Sequence, residues 1–529
     1  MNKAIVFLIL ISISTINFAQ NGVLDPSFGN AGTVLTSIGA TDRGHSIAKQ
    51  ADGKLLVTAF HQNTPNMLAL LRYNLDGTLD ASFDTDGMVT ISFNVSSQSS
   101  STSNYSIAVQ ADGKILVGGD SQGNTTVDFT VFRFNTNGSL DTGFDTDGKV
   151  QINFGAFNSS SATAISIQSD GKILLSGHTS SSGNSDFAVV RLTTNGSLDT
   201  SFDADGKVVI PVGDFEDRSY AMAIQTDGKI IIGGSALGNI ITDFALIRLN
   251  TNGSLDTSFD ADGKVITPFN TNGNQIKDIQ IQSDGKIIVT GISYGTISGS
   301  YSNNFALARY TVDGNLDTSF GVEGKVLTNI TANTNNAVSN AILLQADGKI
   351  ICGGNYYNAL GIFELAMVRY NSDGSLDETF GTLGVTTTSL EDGAFGNDIT
   401  FQNDGKIVLV GNSVNNVTNK TSIVLARYTS GIVLSLDQQT VFKNDILVYP
   451  NPSKDLIQLD FSLNVPAELD FILTDILGNE ITQLANNVTF GVGKQNYSLN
   501  IPSVLPSGIY FLKIYLPSSA QTIRFIHTK

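Results

Sequence analysis

The chain has 529 residues and sets 30 Lys and Arg against 48 Asp and Glu, a formal charge of −18 with a pI near 4.5. That balance excludes nucleic acid and anionic membrane surfaces as natural partners, because both require a basic footprint. A single cysteine, Cys352, excludes an intramolecular disulfide, and its place in the apolar run Ile350-Ile351-Cys352 reads as a small buried hydrophobe rather than a nucleophile.

Residues 1–20 read as a signal peptide. Lys3 supplies the positive start, Ala4 to Ile16 a mostly apolar core, and Ala19 a small residue before a cut at Gln20. The apolar run falls short of the roughly 20 residues a membrane span needs. No Cys stands at the cut to take a lipid, and no later segment is apolar enough to span. The mature chain is therefore expected to be exported and soluble, with no membrane span.

From residue 21 to residue 430 the chain repeats itself. An Asp-Gly pair, with Gln three residues before the glycine and Lys directly after, recurs at Gly53, Gly113, Gly171, Gly228, Gly285, Gly348 and Gly405. A fixed period near 60 residues marks a repeat architecture. Apolar alternation enters each pair and a β-branched run leaves it, so the phrase predicts a hairpin closed by a two-residue type I′ turn.

Laid out on residues 255–310, one repeat runs from Leu255-Asp256-Thr257-Ser258-Phe259 into a first strand at Lys264-Val265. A polar loop, a second strand to Gln282, the Asp-Gly turn and a third strand to Val289 follow. A further polar loop leads to the fourth strand, Phe305 to Tyr310. Four short strands in a meander form one propeller blade, so seven copies predict an all-β, seven-bladed β-propeller.

The ends support closure. Leu24 to Gly29 and Thr33-Val34-Leu35 stand alone at the start, and they supply the segment missing after Arg427-Tyr428. Joining them at one seam removes the open strand edges that a linear array would expose. The insertions, at 94–104, 331–338 and 294–303, follow strands one and three, which run in the same direction. They therefore decorate one face of the disc, opposite the invariant turns, and a variable face is the expected binding face.

One Arg per repeat lies inside an apolar strand: Arg72, Arg133, Arg191, Arg248, Arg309, Arg369 and Arg427. One Asp follows Leu in each copy: Asp80, Asp141, Asp199, Asp256, Asp317 and Asp377, with Asp25 at the start. A buried guanidinium requires a partner, and the expectation is that each Arg bonds this Asp or nearby turn carbonyls and staples its blade. If the guanidinium groups lined the central channel instead, they would form an anion site.

Two Gly-x-Ser-x-Gly matches, at Ser121 and Ser293, sit where a strand leaves for a loop rather than a helix, and read as chance. The Asp-x-Asp-Gly runs at Asp84, Asp145, Asp203 and Asp260 share the opening of a calcium loop. They lack the further oxygen ligands such a loop needs, and Gly29, Gly321 and Gly381 replace the first Asp elsewhere. Turn chemistry is the expected reading, calcium the alternative, and no cofactor is expected.

The recurring Leu-Asp-x-Ser-Phe, Gln-x-Asp-Gly-Lys and Ala-x-x-Arg-Tyr phrases resemble the delta-60 family of bacterial propeller repeats over about residues 24–430. The resemblance implies a fold and no activity. After a linker at 431–445, residues 446–529 read as short strands separated by Asn, Gly and Pro turns, a small Ig-like β-sandwich. Tyr449-Pro450-Asn451-Pro452, then Asp475-Ile476-Leu477-Gly478, then Ser507-Gly508-Ile509-Tyr510 resemble the type A C-terminal sorting domain of type IX secretion substrates. That resemblance implies a Bacteroidota-like host, the type IX machinery as partner, passage through the periplasm, and delivery to the outer surface or the medium.

The functional expectation is a non-catalytic binding or scaffold module for an unknown glycan or protein. The competing class is a polysaccharide hydrolase or lyase with a carboxylate pair on the variable-loop face.

Overall fold

The computed structural model describes residues 21–431 and 446–529, apart from 64–65, 93–104, 123–125, 156–158, 182, 239–240, 270–271, 298–299, 331–335, 391, 464–465, 476–479 and 517–518. The signal-peptide and linker readings, the 94–104 insertion and most of 331–338 lie outside the described residues. The chain forms two compact units, Met1–Gly431 and Ile432–Lys529.

The first unit is a propeller of seven four-stranded antiparallel blades. Their innermost strands are Asp42–Lys49, Ser106–Val109, Ser159–Ile167, Asp217–Ile224, Asn274–Ile281, Ala337–Leu344 and Ala394–Phe401, for blades one to seven. The apolar core lies between blades: Phe187 and Val189 of blade three pack with Ile230, Ile232 and Ile247 of blade four. A second strand sandwiched this way is covered on both faces, which explains why Ile287-Ile288-Val289 is continuously apolar and fully buried.

Closure is as the two ends predict. Thr33–Thr36 forms the outermost strand of blade seven, pairing Thr33 with Ala426 and Thr36 with Ile423. The phase within the repeat differs from the layout above. Lys264–Thr267 pairs with Thr242–Leu249 and is the outer edge of blade four, not the first strand of blade five. The hairpin joining these two strands keeps them in one sheet, so each blade starts on the channel and ends at the rim.

The Asp-Gly turn also differs. Gln282 N–H donates to the Lys286 carbonyl at 2.8 Å and Gly285 N–H to the Gln282 carbonyl at 2.9 Å, so the loop has three residues. Only Gly285 takes positive φ, at 83°. Asp284 stays in the ordinary region because its carboxylate accepts the Lys286 N–H at 3.2 Å. The geometry is a type I turn followed by a left-handed glycine. The loop expected at 294–303 is instead a continuation of the hairpin: Ile287–Ile297 and Ser300–Tyr310 stay in register out to Ile297 with Ser300.

In the Asp-x-Asp-Gly runs, Asp260 has φ 47°, and Gly29, Gly321 and Gly381 at the same position have 53°, 54° and 54°. The position demands a left-handed backbone whichever residue fills it.

The second unit is a small β-sandwich. Leu447–Tyr449, Leu456–Leu463 and Gly493–Asn500 form one antiparallel sheet. Glu480–Phe490, Ala467–Thr474, Gly508–Leu516 and Ser519–His527 form the other. Leu459, Phe461, Phe471 and Leu512 share its core.

Candidate binding site in the central channel

The repeated Arg and Asp residues meet away from the channel, at the blade interfaces on the Asp-Gly-turn face. Each Arg lies 2.6–2.8 Å from its Asp, from Arg72–Asp80 through Arg369–Asp377 to Arg427–Asp25 across the seam. A second guanidinium nitrogen donates to a turn carbonyl of the neighbouring repeat: Thr136, Thr194, Thr251, Val312, Ser372, Ser430 and Leu75 in turn. The Phe of Leu-Asp-x-Ser-Phe lies 4.4–4.7 Å beneath each guanidinium. The Lys of Gln-x-Asp-Gly-Lys adds a second cation, 2.7–3.1 Å from the same Asp.

The Tyr of Ala-x-x-Arg-Tyr reaches the next interface, where Tyr310 Oη donates to Thr267 Oγ1 at 2.8 Å. The fixed Asp, Phe, Lys and Arg of the three phrases thus belong to one interblade clasp. Burial alone would raise the Asp256 carboxyl. The bonds from Lys229 and Ser258, with the Arg248 charge, overcome it and hold the group well below the usual carboxylate range.

The channel carries a different set of residues. In six of the innermost strands the register with the second strand slips by one residue, and the extra residue is His45, Thr163, Tyr220, Lys277, Asn340 or Asn397. Tyr105 holds the same position in blade two, eight residues before the turn glycine. A bulge re-aims its side chain, and here all seven line one cavity of about 290 Å³ on the propeller axis.

A glycine stands opposite the bulge in blades three to seven, and Ala59 in blade one. A Cβ on Gly291 would lie 1.9 Å from the Gln275 carbonyl oxygen, and one on Gly234 1.9 Å from that of Arg218.

Around the ring, side chains cap the strand edges of the next blade. Asn340 and Asn397 donate to the Gly396 and Gly44 carbonyls at 2.7 and 2.6 Å. Asp278 accepts from Ile342 N–H at 2.8 Å, and Asp398 from Ile47 N–H at 2.9 Å and Ser46 Oγ at 2.7 Å. The second oxygen of each carboxyl accepts from the following residue, Ile279 or Ile399. Burial pushes Asp278 up to about 7, with the Asp398 charge adding to it, and burial pushes Asp398 up to about 6.

Toward the starts of the innermost strands, on the face opposite the Asp-Gly turns, the channel opens into a cavity of about 720 Å³. His45, Thr163, Tyr220, Lys277 and Asn397 line both cavities, and Arg43, Arg218 and His178 join them in the outer one. Lys277 Nζ lies 4.0 Å from the centroid of the Tyr220 ring. Burial, and then the Arg218 charge, push its ammonium down to about 8. Burial pushes His45 and His178 down to about 4, reinforced by Arg43 and Arg218 respectively, so both are neutral at pH 7.

Sequence reasoning passed over this ring. The column eight residues before each turn glycine reads His, Tyr, Thr, Tyr, Lys, Asn, Asn, and its immediate neighbours vary as much, so nothing in the sequence sets it apart.

The other sequence-marked residues lie outside the channel. Ser121 bonds Thr130 Oγ1 at 2.6 Å at a strand end, and Ser293 is buried in a hairpin, with no helix after either among the described residues. Cys352 is fully buried and its thiol is pushed up to about 12. In the second unit, Tyr449 Oη donates to Asp460 at 2.9 Å, Asn451 Oδ1 accepts from Ile526 N–H at 2.9 Å, and Tyr510 Oη donates to the Pro506 carbonyl at 2.9 Å. Gly508 pairs with His527. Asp475 follows the strand Ala467–Thr474, and Gly478 lies outside the described residues.

No curated protein matches the chain. Among solved structures, it is similar to the polysaccharide lyase Uly1, at 12% identity over 79% of this chain and 94% of that one, with a TM-score of 0.44. It is also similar to a PL25 ulvan lyase bound to -[GlcA(1-4)Rha3S]-, at 12% identity over 77% and 94%, with a TM-score of 0.43. A third is PorZ, a surface component of the type IX secretion system of Porphyromonas gingivalis, at 10% identity over 92% and 81%, with a TM-score of 0.23.

Two families match by their sequence patterns. One, described as a β-propeller domain of unknown function (DUF5122), matches residues 50–83, 110–144, 168–202, 225–259, 282–320, 345–380 and 402–431. The other, the secretion system C-terminal sorting domain, matches residues 447–528. The chain is thus a DUF5122 β-propeller repeat protein with a C-terminal sorting domain, which the type IX secretion machinery handles for export to the outer surface or release.

Proposed function

We propose that the exported propeller is a non-catalytic binding module whose ligand enters the central channel from the variable-connection face, and that residues 1–20 are the leader that starts its export. One observation carries the reading. Six bulges and the equivalent position of blade two present five different residue types to one cavity of about 290 Å³. A cavity with a few convergent polar groups and shifted ionisable residues is the usual form of a ligand site.

The shifted pair Asp278 and Asp398 gives the enzyme reading its footing, since carboxyls near pH 7 can trade protons with a glycosidic substrate. Against it, all four carboxyl oxygens already accept backbone N–H bonds, one on each carboxyl from the following residue and one that joins blades five to six or seven to one. In blade two, Ser106 does the same work with a hydroxyl, accepting from Ile165 N–H at 3.0 Å.

The test is a screen of the secreted full chain against polysaccharides and cell-surface proteins, with and without calcium. Binding and the release of new chain ends are read in the same wells. Binding without new ends is expected, and turnover abolished by Asp278→Asn and Asp398→Asn would replace this reading with the enzymatic one.

A further inference from the structure

The outer cavity has a charge opposite to that of the protein around it. Arg43, Arg218 and Lys277 line its roughly 720 Å³, and no carboxylate does so among the described residues, although the chain carries a formal charge of −18. Arg218 has an acidic neighbour in Glu216 at 3.1 Å, but both side chains are about half exposed, and so loose a pair leaves most of the field in place. Asp278, next in sequence to Lys277, points the other way around the ring and is committed to Ile279 and Ile342. Enclosed ring nitrogens, His45 Nε2 and His178 Nδ1, have no hydrogen-bond partner. The acidic groups of the channel, Asp278 and Asp398, line only the inner cavity. An anion is therefore attracted to the vestibule and stopped at its floor.

The form of the ligand follows from what the walls leave open. A peptide adding itself as a strand needs free backbone groups along an edge. Here groups on the edges of five blades are already capped: Thr163, Asn340 and Asn397 cover the carbonyls of Ser219, Gly396 and Gly44, and Ser106, Asp278 and Asp398 cover the N–H groups of Ile165, Ile342 and Ile47. Recognition falls to side chains, and these pair the aromatic faces of Phe395 and Tyr220 with hydroxyls and amides. Sugar rings present apolar C–H faces and equatorial hydroxyls to such a surface. The volume lies within the roughly 300–1,000 Å³ usual for small-ligand clefts, room for a chain end or a short oligosaccharide rather than a folded partner.

Resting on the binding reading above, we infer that the vestibule holds an anionic saccharide, with its carboxylate or sulfate group seated among Arg43, Arg218 and Lys277. The acidic surface outside repels long polyanions, and at physiological salt this repulsion fades over about 8 Å. It thereby favours a chain end over a chain laid across the disc.

Binding should be pH-dependent. Lys277 faces Tyr220, whose own ionisation burial raises, and Arg218, with Asp278 behind it. Its ammonium is charged at pH 7 and largely neutral at pH 9, so affinity falls across that interval.

The experiment is calorimetry on the secreted full chain in 0.15 M salt at pH 7 and pH 9. The probes are oligogalacturonate (carboxylate), dextran sulfate oligomers (sulfate), neutral dextran oligomers and polyglutamate. Acylation of Lys277 by acetic anhydride, read by peptide mass spectrometry, reports occupancy of the site independently of the heat signal. One of the two anionic sugars should bind and protect Lys277, and up to about tenfold more weakly at pH 9. Lys277→Met and Arg218→Met, with unchanged melting, should each weaken it at least tenfold. Which of the two binds identifies the anion.

Neutral dextran binding as well as the charged sugars, or polyglutamate alone binding, would overturn the inference. If no anionic sugar binds but another ligand from the wider screen protects Lys277, the binding reading stands and this inference falls. If nothing in that screen protects Lys277, both fall.

Discussion

The propeller contains two rings made from the same seven repeats, and they obey opposite rules. The clasp on the Asp-Gly-turn face is built identically at every interface: an Arg, an Asp, a Lys and a Phe, with the seam copy assembled from Arg427, Asp25, Lys406 and Phe28. The bulge ring on the channel uses one position per blade and fills it with His45, Tyr105, Thr163, Tyr220, Lys277, Asn340 and Asn397. A contact that must hold seven blades the same way is satisfied by one solution copied seven times. A ligand without sevenfold symmetry can be recognised only by positions that differ. The contrast divides stability from recognition, and it breaks if either ring does the other's work.

The largest expected effect is on the clasp. Arg248 is 4% exposed and Asp256 6%. Replacing Arg248 by Ala leaves the carboxylate with the Lys229 ammonium, at 2.8 Å and 28% exposed, and the two Ser258 bonds. Loss of one member of a buried pair costs about 3–5 kcal/mol, and with Lys229 remaining, a loss of about 3 kcal/mol in chemical denaturation is expected. Ligand binding by the folded fraction should be unchanged. A loss of binding without a loss of stability would place the clasp on the functional side.

Next is the glycine opposite the blade-five bulge. A Cβ at Gly291 would lie 1.9 Å from the Gln275 carbonyl oxygen, a backbone atom that cannot rotate away. Gly291→Ala should cost about 1–3 kcal/mol, the usual range for overpacking. It should also displace Lys277, so that binding weakens together with stability. Full binding by Gly291→Ala would show that the bulge does not aim the side chain.

How much of this could be read from the sequence follows the same division. The clasp letters were visible because they recur, and the buried Arg residues demanded a partner on physical grounds alone. The blade count and the seam came from the same repetition. The bulge ring was not visible, because its seven positions hold five residue types and Arg43, Arg218 and Lys277 stand far apart in the chain. Strand phase was ambiguous because a repeat read from Lys264 and one read from Asn274 contain the same four strands in the same order. The hairpin that keeps Lys264–Thr267 with the preceding blade decides it. The turn type was misread because Asp-Gly permits two left-handed residues but does not require them. The Asp284 carboxylate, bonded to the Lys286 N–H, settles on one.

The two rings should also titrate in opposite directions. Clasp carboxyls such as Asp199 are held below the unfolded value of about 3.9, so their contribution is present above that pH and is lost as pH falls through the folded value. Asp278 and Asp398 are raised to about 7 and about 6, so they cost stability when ionised, and that cost disappears as pH falls from 7 toward 4. The melting temperature should therefore rise on mild acidification and fall again below about pH 4. Asp278→Asn with Asp398→Asn should flatten the rise without touching the acid limb. An unchanged rise in the double variant would show that these carboxyls do not carry the raised values.

The smallest expected change in stability is at the residue most important for recognition. Lys277 keeps an ammonium in a crowded wall, and its folded-state value of about 8 lies below the ordinary lysine range near 10.4. A base with a depressed value favours its neutral form on folding, so the charge present at pH 7 is a cost rather than a support. Lys277→Met keeps most of the apolar stem while removing the ammonium and its contact with the Tyr220 ring. Stability should stay within about 0.5 kcal/mol of the parent or improve, as is common when a strained functional group is replaced. The gain should shrink as pH rises from 7 to 9, where the parent's ammonium discharges. Destabilisation of the size expected for Arg248→Ala would mean that Lys277 fastens blades as the clasp does, and the division between the rings would fail at its most distinctive residue.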